Sequence, residues 1–115
     1  MTTPAAGRPG LRFGAAYYPE YQPRLDLDRD LDLMREAHFN VIRVGESVWS
    51  TWEPRDGQFD LEWLQPVLEG ALARGIGVIL GTPTYAVPPW LWHKYPEIAG
   101  ELATGRRQFF FQTVE

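Results

Sequence analysis

Leu27 to Val44 reads Leu-Asp-Arg-Asp-Leu-Asp-Leu-Met-Arg-Glu-Ala-His-Phe-Asn-Val-Ile-Arg-Val, and this stretch decides the fold. Leu27, Leu31, Met34 and His38 recur at i, i+4, i+7 and i+11, which traces one face of a helix. Asp28, Arg29, Asp32, Arg35 and Glu36 fall largely on the other side. Pro23 sits where such a helix begins, and Asp26 or a neighbour is placed to cap it. Asn40 breaks the pattern. Val41 to Val44 is a β-branched run, so a strand follows the helix directly.

The same alternation extends in both directions. Upstream, Leu11 to Tyr17 is predicted as a first strand, ended by the turn Tyr18-Pro19-Glu20. Downstream, Gly45 to Asp60 is a long connection with two tryptophans, Pro54 and the turn sequence Arg55-Asp56-Gly57. Leu61, Leu64, Leu68, Ala71 and Leu72 then mark a second amphipathic helix, with Gly75 in the position that stops one. Ile76 to Leu80 is continuous and apolar, as a parallel strand covered on both faces should be. Pro88-Pro89 opens a short helical turn through Trp90 to His93. The order β, α, β, α, β is the pattern of right-handed parallel crossovers. Residues 1–10, rich in Thr, Pro, Ala and Gly, read as a flexible lead.

Composition excludes several classes of function. A chain of 115 residues can bury a modest core. It is well short of the roughly 250 residues that a closed eight-unit barrel needs. Fifteen acidic against eleven basic side chains leave no basic stripe for a nucleic acid. The absence of cysteine excludes disulfides, thiolate catalysis and zinc–thiolate sites. His38 and His93 lie far apart without ligand spacing, so no metal is expected. No phosphate-cradling glycine loop is present, and no cofactor is expected. No apolar run approaches the roughly 20 residues that cross a bilayer. With neither a secretory nor a transit pattern at the start, a cytoplasmic protein without a membrane partner is expected.

Three apolar runs end in crowds of aromatic rings, prolines and carboxylates: Phe13 to Glu20, Val41 to Trp52, and Val78 to Trp92. These crowds should gather at one end of a parallel sheet, where strand–helix enzymes keep their chemistry. Arg43 lies inside an otherwise apolar strand, which is costly unless it is paired or lines a polar cavity. Two roles stand open for it: a structural salt bridge to Glu46 or Glu20, or a donor fork for a substrate hydroxyl or carboxylate. Glu20, Glu46 and Glu53 follow the first two strands. Paired carboxylates are the machinery of glycoside hydrolysis, but each of these also suits a cap, a turn or an ion pair. Trp49, Trp52 and Trp90 could stack on sugar faces or anchor loops. His93 reads as a surface side chain on a short helix.

Read in order, the words are specific. Gly14-Ala15-Ala16-Tyr17-Tyr18-Pro19-Glu20, Leu33-Met34-Arg35-Glu36-Ala37 and Arg43-Val44-Gly45-Glu46 come first, followed by Trp49 and Glu53-Pro54. Gly81-Thr82-Pro83-Thr84, Pro88-Pro89-Trp90-Leu91 and Tyr95-Pro96-Glu97-Ile98 follow. From about Phe13 to Arg107 this closely resembles the start of the family 42 glycoside hydrolases, the bacterial β-galactosidases. The resemblance implies an α/β fold, the N-terminal portion (about three βα units) of a (β/α)8 TIM barrel. It implies retaining hydrolysis of terminal β-galactosides, a β-galactoside sugar as partner, a cytoplasmic location and a homo-oligomer, often a trimer. It places Arg43 in contact with galactose as the substrate-binding residue and assigns Glu46 and Trp49 to shaping the site.

The family's acid/base glutamate follows the fourth strand and its nucleophile the seventh. Neither has a counterpart here, so no catalytic residue is assigned, and the chain alone is expected to be inactive. Residues 11–107 read as a partial barrel domain. Family members follow the Gly-Arg-Arg stretch with a glycine-rich segment carrying a second sugar-binding arginine. Here Gly105-Arg106-Arg107 runs instead into 108–115, which reads as a divergent tail such as a truncated or frame-shifted gene would give. The competing reading is a non-catalytic sugar-binding or assembly module, whose unpaired strand edges and uncovered apolar face lead it to self-associate or to pair with a complementary fragment.

Overall fold

Asp26 starts the first helix, its side chain accepting the backbone N–H of Arg29 at 3.1 Å. This is seen in a computed structural model that describes residues 10–22, 26–46 and 48–108. Pro23 and most of the expected lead and tail (1–9 and 109–115) lie outside the described residues. Helix α1 spans Leu27–Glu36 and ends sooner than the apolar spacing predicts. His38 is not on its face but just beyond it, in the left-handed region at φ 66°. The N–H of Phe39 bonds to Met34 O and that of His38 to Arg35 O, each at 2.9 Å. This is a Schellman ending with histidine where glycine is usual.

Strand β1 is Gly14–Ala16, β2 is Val41–Val44 and β3 is Gly77–Leu80. They form one parallel sheet in the order β1-β2-β3. The predicted first strand from Leu11 to Tyr17 shrinks to three residues, because Asn40 takes over the pairing upstream. Its Oδ1 accepts the N–H of Phe13 at 2.7 Å and its Nδ2 donates to Leu11 O at 2.8 Å.

Within the expected long connection lies a short helix, α2, Trp49–Trp52. Helix α3 spans Leu64–Ala73 and also closes in a Schellman motif, with Gly75 at φ 68° as its spacing predicts. Its buried face is Leu64, Val67 and Ala71. Leu61, Leu68 and Leu72, expected on that face, are exposed instead, Leu72 at 77%. Helix α4, Pro89–Lys94, follows β3. A two-stranded antiparallel ribbon, β4 (Gly100–Glu101) with β5 (Arg107–Gln108), completes the elements. Its turn has Gly105 in the left-handed region at φ 76°.

The core lies between one face of the sheet and the helices: Tyr17, Leu31, Ile42, Val44, Leu64, Val67, Ala71 and Ile76. Arg74 rivets α1 to α3. Its Nε donates to Asp32 Oδ1 at 2.7 Å, and its Nη2 meets Asp28 Oδ1 at 3.2 Å. That guanidinium is only 13% exposed. Its hydrogen bond holds the Asp32 carboxyl below the usual carboxylate range and raises Arg74 in turn. Sequential parallel strands with α1 and α3 packed on one face are what the opening units of a (β/α)8 barrel look like. Among the described residues no helix is long and apolar enough to cross a membrane. No group of three or more His, Asp or Glu among them could hold a metal ion.

Candidate functional site

Side chains alternate across a strand, and partners in a parallel register share a face. Ala15, Ile42 and Val78 are in register, and Ile42 is buried beneath the helices. Ala16, Arg43 and Ile79, also in register, therefore take the opposite, open face. In a closed barrel that face looks inward. The costly placement of Arg43 is resolved in this way. It is not packed in the core but stands half-exposed, its side chain at 50%, one residue from the C-terminal end of β2.

Both readings of Arg43 survive the geometry. Its Nη1 faces Glu46 Oε2 at 3.6 Å, which is the predicted ion pair. That contact is too long for a strong charge-assisted hydrogen bond, so it orients the guanidinium without using up its five donors. Tyr18 hydroxyl donates to the same Glu46 oxygen at 2.9 Å. One carboxylate thus ties the end of β1 to the end of β2. Tyr17 points the other way, its hydroxyl donating to Asp30 Oδ2 at 2.7 Å. Adjacent tyrosines serve opposite faces, as the two-residue period requires.

Gly45 makes the next turn possible. Its φ is +84°, and a Cβ there would lie 3.1 Å from Trp52 Cζ2 and 3.2 Å from Leu80 Cδ1. Trp52 consequently lies across the strand ends and packs against Trp63 at a centroid distance of 6.5 Å. This is a loop-anchoring role. Trp49 sits at the start of α2, and its indole N–H donates to Glu53 Oε1 at 3.0 Å. The other oxygen of Glu53 accepts the N–H of Gly57 at 3.1 Å. Trp90, on α4, donates its indole N–H to the Glu53 carbonyl at 2.8 Å. Lys94 and Asp56 join the same two loops at 2.6 Å, and this hydrogen bond raises the Lys94 pKa.

The predicted residues thus fall into two linked groups, Arg43 with Glu46 and Trp49 with Glu53 and Trp90. Glu46 and Glu53 are both engaged as partners, not poised as an acid and a nucleophile. Glu20 lies in the 3-10 turn Pro19–Tyr21, and its side chain is outside the described residues. His93 is exposed on α4, as expected. Spacing does not single out Tyr18, which lies 28 positions from Glu46 in the chain. An open hollow of about 450 Å³, lined by Tyr17, Asp30, Leu33, Met34 and Phe39 among others, lies on the helix side, away from Arg43.

Residues 16–113 match the glycoside hydrolase family 42 model, described as β-galactosidase. The β-galactosidase BgaA of Clostridium cellulovorans is 41% identical over 99 residues, which is 86% of this chain and 15% of that protein. A β-galactosidase of Thermus thermophilus is 40% identical over 97 residues, 84% of this chain and 15% of its own length. Among solved structures, the β-galactosidase of the Antarctic haloarchaeon Halorubrum lacusprofundi superposes with a TM-score of 0.79 at 33% identity. It covers 89% of this chain and 15% of its own. That of Rahnella sp. R3 gives 0.80 at 35% identity, over 90% and 16%. The chain therefore spans about 15% of the length of the relatives it matches.

Proposed function

Because the chain belongs to glycoside hydrolase family 42, the β-galactosidases, we propose that it builds one wall of a β-galactoside site in a retaining hydrolase. Arg43 is the substrate-binding residue, offering its guanidinium to sugar hydroxyls. Glu46 fixes that guanidinium, and Trp49 shapes the floor beside it. The observation that carries this reading is the place of Arg43. It stands half-exposed on the open face at the strand end, and its one ion-pair partner among the described residues is Glu46.

Retaining hydrolysis needs two carboxyl groups about 5–5.5 Å apart, one cycling as acid and base and the other attacking. Glu46 is committed to Arg43 and Tyr18, and Glu53 to Trp49 and Gly57. Neither is the acid/base or the nucleophile, and residues 11–107 act as a partial barrel domain. We also infer a cytoplasmic location and assembly as a homo-oligomer, which the family resemblance implies.

The test compares the purified chain with a chimera in which residues 16–113 replace the matched segment of the Thermus thermophilus relative. No turnover of a chromogenic β-galactoside is expected from the first, and restored turnover is expected from the second. Turnover by the chain alone, or a folded but inactive chimera, would overturn the proposal. The exposed Ile79 on the open face and the exposed Leu80 at the sheet's end favour a second reading, an assembly module. A stable monomer in sedimentation at micromolar concentration contradicts that one.

A further inference from the structure

We propose that Glu53 is a positioning residue that locks the loop after β2 to the loop after β3. It thereby keeps Trp49 and Trp90 in fixed places at the end of the sheet where Arg43 stands. The proposal rests on the sugar-site reading above.

Glu53 is 8% exposed, and a carboxylate buried so far is costly unless its oxygens find donors. It finds them from two directions: the Trp49 indole four residues earlier and the Gly57 N–H four residues later. Its backbone reaches a third. Pro54 disfavours the helical region for the residue before it, and Glu53 leaves α2 outside that region, at φ −134° and ψ 76°. The carbonyl is then free of the helix and accepts the Trp90 indole from α4. One residue thus holds two indoles that lie 41 positions apart in the chain, by its side chain and its main chain respectively. The Lys94–Asp56 pair joins the same loops, but both side chains are about half exposed, and exposed pairs contribute little. The buried contact is the lock.

The test follows solvent exchange of the indole N–H groups in the 15N-labelled chain, assigned with Trp49→Phe and Trp90→Phe. Glu53→Ala removes the acceptor of the Trp49 indole and should speed its exchange about tenfold or more, the scale of losing a hydrogen bond to a charged group. The carbonyl that Trp90 meets remains but is no longer held in place, so the Trp90 indole should exchange severalfold faster as well. The amides of Ile42 and Val44 should keep their protection, which separates loss of positioning from general unfolding. Asp56→Asn is expected to leave both indoles within about twofold. An unchanged Trp90 indole in Glu53→Ala overturns the proposal, and so does an equal effect from Asp56→Asn. If Glu53→Ala unfolds the chain, Glu53→Gln carries the test. Gln has one acceptor oxygen where the carboxylate has two, so one of the two donors, the Trp49 indole or the Gly57 N–H, should exchange about tenfold faster. If neither exchanges faster, the lock is overturned. The measurement involves no sugar, so its failure is distinct from failure of the sugar-site reading, which the chimera's turnover reports.

Discussion

Gly70 lies within α3, where alanine would ordinarily be the better residue by about 1 kcal/mol. A Cβ at that position would sit 2.7 Å from Leu31 Cδ1, and Leu31 is fully buried between α1, α3 and the sheet. Leu31 has no exposed surface, so its tip can move away only by repacking against buried neighbours. Overpacking of this kind costs about 1–3 kcal/mol, which outweighs the propensity gain. Gly70→Ala is therefore expected to destabilise the chain by about 1 kcal/mol. Leu31→Ala alone should cost about 2–5 kcal/mol through the cavity it leaves. In that background the obstruction is gone, and Gly70→Ala should become stabilising by about 1 kcal/mol. The two substitutions then couple by about 2 kcal/mol, well beyond the roughly 0.3–0.5 kcal/mol scatter of independent sites. Urea unfolding followed by far-UV circular dichroism, at one protein concentration and with m unchanged, measures all four corners. If Gly70→Ala has the same sign in both backgrounds, the close approach of α1 to α3 through Gly70 is wrong.

Two further outcomes follow from the helix ends and the charge clamp. The Arg74 hydrogen bond holds Asp32 below its usual value, against some loss of hydration. The stability it brings is therefore present above about pH 3.9, the ordinary aspartate value, and is lost as pH falls through the lowered one. Asp32→Asn should flatten the acid limb of Tm against pH below about 4, and an unchanged limb contradicts the clamp. His38→Gly removes a side chain from a left-handed position that costs most residues roughly 1 kcal/mol. Part of that gain is offset by the wider freedom of glycine in the unfolded chain, so Tm should rise by about 2–4 °C. A lowered Tm would contradict it.

Much of the framework is written locally. Val41–Val44 is a strand end to end because its β-branched run is flanked by Asn40 and Gly45. Asp26 and Gly75 mark helix ends by chemistry that acts within a few residues. Periodicity fails where it cannot distinguish buried from merely apolar. His38 falls in step with α1, yet the chain has already turned. Leu68 and Leu72 continue the stripe of α3, but the core takes Val67 and Ala71, and among the described residues Leu68 stays partly exposed and Leu72 largely so. Helix α2 is four residues of Trp, Ser and Thr, too short to show a period. At the site, Arg43 with Glu46 was legible because only three positions separate them, across the turn that Gly45 makes. Tyr18 with Glu46 and Trp90 with Glu53 were not, because tertiary structure alone brings residues 28 and 37 positions apart together.

The central claim is that Arg43 is offered to a sugar. It is tested most directly by kcat/KM for a chromogenic β-galactoside in the Thermus thermophilus chimera, with and without Arg43→Ala. Losing a charged donor that meets the substrate should lower kcat/KM by about a hundredfold, while the far-UV spectrum and Tm stay close to those of the parent chimera. A value within about threefold of the parent would contradict the account and leave Arg43 only its ion pair with Glu46.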